Sequence, residues 1–147
     1  LEGYQSPLKV VRVVQRQPSE LPLEKAETIV VGGWGVGPDM WDNLEQLAGE
    51  LEGAVGCTRP ALDEGWTRGE RTMIGTSGKT VRPRVYLGFG VSGSAHHVVG
   101  MKDSGVVINV NNDPEAPVFQ VSDYGVIADA RVILPVLLEK VREHKGV

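Results

Sequence analysis

From Glu27 onward the chain repeats one rhythm: a short apolar run, a glycine turn, then residues at helical spacing. No other feature limits the fold as tightly. Thr28-Ile29-Val30-Val31 is apolar without alternation, as expected of a strand covered on both faces, and that situation is the rule in parallel sheets. It runs into Gly32-Gly33-Trp34-Gly35-Val36-Gly37, after which Met40, Leu44, Leu47, Ala48 and Leu51 recur at helical spacing. Asp39, following Pro38, is the candidate N-cap. Gly53 ends that helix and Ala54-Val55-Gly56-Cys57 begins a second strand. Residues 58–82 hold four glycines, 65, 69, 75 and 78, and no sustained period, so they read as loop-rich, and loops of this length are usually functional or mobile. Arg84-Val85-Tyr86-Leu87 is a third strand, followed by a helix to about Met101, and Val106-Val107-Ile108-Asn109-Val110 a fourth. A short apolar piece near Tyr124 to Ile127 precedes a last helix over 129–143, which Pro135 should kink or divide. Strands alternating with helices predict an α/β fold, a doubly wound, mainly parallel sheet of Rossmann-like type with helices on both faces.

The 147 residues suffice for one domain, and 41% hydrophobic with 23% charged is a globular balance. Fifteen Lys and Arg against nineteen Asp and Glu give a net charge of −4, which argues against a dedicated nucleic-acid binder. No apolar stretch is long enough to span a bilayer, so membrane insertion is not expected. Cys57 is alone, and the histidines are His96, His97 and His144, so neither an internal disulfide nor a metal cluster is expected; a reducing, intracellular compartment fits. Residues 1–27 differ from the rest. Leu8-Lys9-Val10-Val11-Arg12-Val13-Val14 reads as a strand, and the proline-bearing stretch after it as a linker. We therefore read 1–27 as the end of a preceding domain plus a linker, and 28–147 as the ligand-binding domain. The opening Leu1-Glu2-Gly3, without Met, agrees with a piece of something longer.

Gly88-Phe89-Gly90-Val91-Ser92-Gly93 is a GxGxxG between a strand and a helix, where backbone amides can approach a pyrophosphate. The acidic ribose reader of the NAD fingerprint is missing, and Asn111 ends the next strand instead. The turn at 32–37 is a second close backbone approach on the same sheet edge. Arg59 follows a strand end, where a cation can neutralise a phosphate or an electron-rich ring; as a surface charge it would mean nothing. His96 and His97 are adjacent and cannot share a helix face, so at most one reaches a crevice. Gly75-Thr76-Ser77-Gly78-Lys79 lacks the spacing of a P-loop, and Gly90-Val91-Ser92-Gly93-Ser94 lacks the final glycine of a hydrolase elbow. A non-redox module binding AMP or NAD remains an alternative on these motifs.

Longer runs add a resemblance. Residues 83–97, Gly100-Met101-Lys102-Asp103-Ser104, Asn111-Asn112-Asp113-Pro114-Glu115-Ala116-Pro117-Val118-Phe119 and Asp123-Tyr124-Gly125 resemble, in order and spacing, the electron-transfer flavoprotein alpha subunit family, in its C-terminal FAD-binding domain. The resemblance spans roughly 28–143 and implies an FAD-holding electron carrier rather than an enzyme. It implies a beta subunit as partner, a dehydrogenase as donor and an acceptor of the quinone-reductase type. It also implies a cytoplasmic setting in a bacterium or archaeon, or the mitochondrial matrix in a eukaryote. Residue by residue, it sets Thr58 and Arg59 at the isoalloxazine, and Ile74, Gly75, Thr76 and Ser77 in the loop hugging the flavin, with Ser77 near N5. Ser92, Gly93, Ser94, Ala95, His96 and His97 form the phosphate turn, with His97 reaching toward the flavin N1/C2 carbonyl. Asn111 and Asp129 fall on the adenosine half. The chain departs from the pattern at Trp34, where the family has Arg, at Thr76 for Gln and at Ser77 for Thr.

Overall fold

The computed structural model describes residues 21–67 and 70–145. Five strands make one sheet: β1 (Thr28–Gly32), β2 (Ala54–Cys57), β3 (Val85–Phe89), β4 (Val106–Asn111) and β5 (Tyr124–Ile127). Their order is β2-β1-β3-β4-β5, and every pair is parallel. Among the described residues four α-helices connect or follow them: α1 (Trp41–Glu50), α2 (Arg59–Asp63), α3 (Ala95–Met101) and α4 (Ala130–Lys145). The fold is the doubly wound α/β arrangement that the strand–turn–helix rhythm predicts. The strand expected over residues 8–14, and most of the linker after it, lie outside the described residues.

Alternation along the buried strands divides their side chains between two cores. Val30, Val55, Leu87, Phe89 and Val110 pack on one face with Leu44 and Leu47 of α1, Ala61 of α2, and Leu134 and Leu138 of α4. Ile29, Val31, Tyr86 and Val107 pack on the other with Leu23, Ile74, Val81, Met101 and Val118. Right-handed crossovers explain the division. The chain moves outward from β1 to β2 through α1, then turns back past β1 to β3, so Ile74, Val81, α3 and the segment before β5 pack on the opposite face, while α2 stays on the α1 side. The direction reverses between β1 and β3, and a doubly wound sheet opens a crevice at such a point.

Three local expectations are corrected. Asp39 does not cap α1: a 3₁₀ turn, Pro38–Met40, leads into the helix and no side chain among the described residues caps it. The Asp39 carboxylate instead pairs with Arg131 at 2.9 Å. Pro135 lies inside a continuous α4 and does not divide it. Proline has no N–H for the Arg131 carbonyl, but buried Leu134 and Leu138 on either side anchor both halves to the same core. The ion pairs of Arg142 and Lys145 with Glu50 fasten the far end to α1. Residues 58–82 are not all loop, since they contain α2, whose single turn is too short to display a period.

Candidate functional site

The glycine turns after β1 and β3 are stitched to each other at the reversal point. Gly33 N–H donates to the Phe89 carbonyl at 3.0 Å, and Gly35 N–H to the Gly90 carbonyl at 3.2 Å. Gly90 has φ of +66°, a left-handed conformation that L side chains rarely adopt, and a Cβ there would meet the Gly35 Cα at 2.6 Å. Backbone thus lies directly on backbone.

A cavity of about 280 Å³ opens beside this contact. Trp34, Gly35, Gly90, Ser92, Asn111 and Asp129 line it, together with Asn112, Asp113, Ala116, Pro117 and Ala130. Three residues named from the sequence, Ser92, Asn111 and Asp129, therefore meet here. Asp129 accepts from the Arg131 N–H at 2.9 Å, which caps the first turn of α4. Asn111 donates to the Val91 carbonyl at 2.9 Å and accepts from the Asp113 N–H at 2.8 Å, so its amide shapes the wall of the cavity.

A second group gathers around the 74–77 loop. Its backbone returns on itself, with Lys79 N–H donating to the Met73 carbonyl and Gly78 N–H to the Gly75 carbonyl. It then docks on the start of α3, where Thr76 N–H donates to the His96 carbonyl at 2.9 Å. Gly75 (φ +147°) is required by that docking, because a Cβ would lie 2.9 Å from the same carbonyl oxygen. The Arg59 guanidinium, more than half exposed, donates to Ser77 Oγ at 3.4 Å and pairs with Asp63 at 3.0 Å. Thr58 is buried beside it, and its Oγ1 has no partner among the described residues. Lys79, the tempting P-loop lysine, is committed to Glu24 at 2.9 Å.

Between the groups run Gly93, Ser94 and Ala95. Gly93 (φ +89°) presses on Val118, and Ser94 Oγ accepts from the His97 N–H at 3.4 Å as the cap of α3. His96 is exposed and His97 buried, so the pair faces two ways, as adjacent helix positions must. His97 Nδ1–H donates to the Ile74 carbonyl at 3.0 Å, and the Tyr86 hydroxyl donates to Nε2 at 2.7 Å. Burial lowers the imidazole pKa to about 4, against a smaller opposing effect of the Ile74 carbonyl. Near neutral pH His97 is uncharged, and both ring nitrogens have protein partners. Tyr86 and Ile74 hold the ring in place within the core. The Cys57 thiol is also withdrawn from chemistry, its pKa pushed up to about 11 by burial.

The structure thus brings the named residues into two clusters joined by the 92–97 segment. Neither Arg59, Ser77 nor His97 lines the cavity. Sequence reasoning missed Tyr86, although a buried tyrosine hydroxyl needs a partner and a histidine one helix away supplies one. It also missed the packing of Trp34 on Trp66, with ring centroids 5.2 Å apart. Among the described residues no group of His, Cys, Asp and Glu could hold a metal, and no helix is long and apolar enough to cross a membrane.

Residues 22–102, more than half of the chain, match the family model of the electron transfer flavoprotein FAD-binding domain. The chain belongs to the electron-transfer flavoprotein alpha family. It is 38% identical over 138 residues to an electron transfer flavoprotein subunit alpha of Thermoanaerobacterium thermosaccharolyticum, covering 93% of this chain and 42% of that relative. A mitochondrial alpha subunit of Oryza sativa subsp. indica is 44% identical over 134 residues, 90% of this chain and 37% of that protein. One from Mycobacterium leprae is 40% identical over 135 residues, 91% and 41% respectively. The chain therefore spans about two-fifths of the length of these relatives, and the matched family domain is one that binds FAD.

The residues present fit that cofactor. A buried Thr58 hydroxyl has no partner among the described residues, the cavity carries the Ser92 hydroxyl, the Asn111 amide and the Asp129 carboxylate, and a second cluster holds the Arg59 guanidinium on the Ser77 hydroxyl.

Proposed function

We propose that this chain is the FAD-holding part of an electron carrier, with a preceding domain ending within residues 1–27. The observation that carries the reading is the pair of stitched glycine turns at the strand-order reversal, opening on a cavity lined by Ser92, Asn111 and Asp129. FAD, when bound, supplies the redox chemistry; the protein supplies position and electrostatics. Ser92, Asn111 and Asp129 bind the adenosine half. Gly93, Ser94 and Ala95 offer backbone amides to the diphosphate, and the Ile74–Ser77 loop, with the His96 backbone behind it, bounds the flavin. Arg59 holds a fixed positive charge at the carboxyl end of β2, stabilising negative charge on a reduced ring beside it, with Thr58 and Ser77 as hydroxyl partners. His97 stays neutral and props the loop through the Ile74 carbonyl. The partners implied are a beta subunit, a dehydrogenase donor and a quinone-reductase-type acceptor, in a bacterial or archaeal cytoplasm or a mitochondrial matrix.

A second reading, a non-redox adenine-nucleotide module, is favoured by one observation: the cavity contains Ser92, Asn111 and Asp129 but not Arg59. Reconstitution of the full-length protein with FAD, followed by absorption spectroscopy and potentiometry, separates the two. Carrier function predicts a bound, reducible flavin whose potential falls in Arg59→Ala, because the reduced form loses its nearby cation. A folded protein that stays colourless with excess FAD overturns the carrier reading, and an unchanged potential in Arg59→Ala removes the role of Arg59.

A further inference from the structure

Trp34 stands where the family resemblance expects an arginine, and the structure gives it a surface. One side packs on Trp66, with centroids 5.2 Å apart and planes tilted by 31°, and Trp66 rests in turn on buried Trp41, 6.4 Å away. Yet Trp34 is 58% exposed and lines the 280 Å³ cavity. An indole braced from behind and open in front is a rigid platform for a flat ring. The rest of the lining says which kind of ring. The cavity presents two carboxylates, Asp113 and Asp129, with Asn111, Asn112 and Ser92, and among the described residues no lysine or arginine lines it. Such a wall repels a phosphate and accepts hydrogen bonds from amino and hydroxyl groups. The volume suits a nucleoside better than a whole dinucleotide.

We infer that Trp34 is the stacking wall for a purine nucleoside, so that the adenine end of the cofactor binds here by π-contact and carboxylate acceptors, without the cation found at this position in the family pattern. The inference rests on the proposed FAD reading and deepens it: affinity for the nucleotide half comes from an aromatic face at Trp34. Stacking on a braced indole typically changes affinity about five- to tenfold.

The test uses the full-length protein stripped of flavin, titrated with FAD and, in competition, with AMP. Trp34→Leu keeps bulk and apolar character but removes the π-face, whereas Trp34→Phe keeps a ring. The expected result is FAD and AMP binding about tenfold weaker in the leucine variant and within about threefold of wild type in the phenylalanine variant. AMP should also quench tryptophan emission in wild type more than in either variant. Equal FAD affinity in wild type and Trp34→Leu overturns the inference and leaves the carrier reading standing. A folded wild-type protein that takes up neither FAD nor AMP overturns both. Should Trp34→Leu fail to fold, the phenylalanine variant and the quenching decide: no quenching by AMP in flavin-free wild type that is still able to take up FAD overturns the stacking wall.

Discussion

His97 is the residue whose surroundings alter its chemistry most. It is buried and uncharged, it donates to the Ile74 carbonyl and it accepts from Tyr86, whose hydroxyl burial pushes well above the ordinary tyrosine range. Its folded pKa of about 4 lies below the ordinary 6.5. Between those values the unfolded chain holds a proton that the folded chain refuses, so stability falls as pH drops through this window and levels off beneath it. One pKa unit corresponds to about 1.4 kcal/mol, so the whole contribution is about 3 kcal/mol. Urea unfolding at pH 7, 5.5 and 4.5 should show this loss in wild type and a shallower slope in His97→Gln. Glu24 and Glu50, whose pKa values are lowered chiefly by hydrogen bonds from Lys79 and Lys145, add a slope below pH 4.5 that both proteins share. Identical slopes above that pH would remove His97 as the cause. The sequence gives two adjacent histidines on a short helix but not which one turns inward, because Tyr86 and Ile74, which decide it, come from elsewhere in the chain.

At the scale of elements, the two glycine turns carry the architecture of the site. Gly90 sits at φ +66° with the Gly35 backbone against its open side. Gly90→Ala therefore imposes left-handed strain and a backbone collision together, and neither can be relieved by a side-chain rotation. The expected cost is about 2 kcal/mol or more, read from the urea midpoint, with FAD affinity falling because the turns separate. A substitution tolerated within 0.5 kcal/mol would mean that the turns are not rigidly interlocked. Elements of strong period were legible: α1 shows its buried Leu44, Leu47 and Ala48 at helical spacing, and β1 its unbroken apolar run. The exceptions have local causes. Five-residue α2 has no room for a period, Asp39 found Arg131 before it found a helix amide, and Pro135 was overruled by the core on both sides of it.

Over the whole molecule, ligand and fold are coupled, because the cavity exists only where β1, β3, β4 and the start of α4 are assembled. FAD should bind the native state and not the unfolded chain. At a free concentration one hundred times its Kd it would stabilise the protein by about 2.7 kcal/mol, visible as a rise in Tm that grows with added FAD. A protein that binds FAD with no change in Tm would show that the site survives unfolding of the sheet. The exposed side chains of β5, Tyr124 and Ile127 among them, lie at one edge of the sheet, remote in strand order from β2 and Arg59.

The fold class and the two glycine turns could be determined from sequence alone, because both rest on local rules: strand runs, helical spacing and the need for glycine where backbone nears backbone. The family blocks named the cofactor for the same reason, being contiguous. Tertiary structure decided what each named side chain meets. It paired Arg59 with Ser77 and Asp63, closed both nitrogens of His97, and set Trp34 on Trp66 at the mouth of an acidic cavity. Those outcomes depend on residues far apart in the chain brought within a few ångströms, and hydrogen bonds and burial act only at that range.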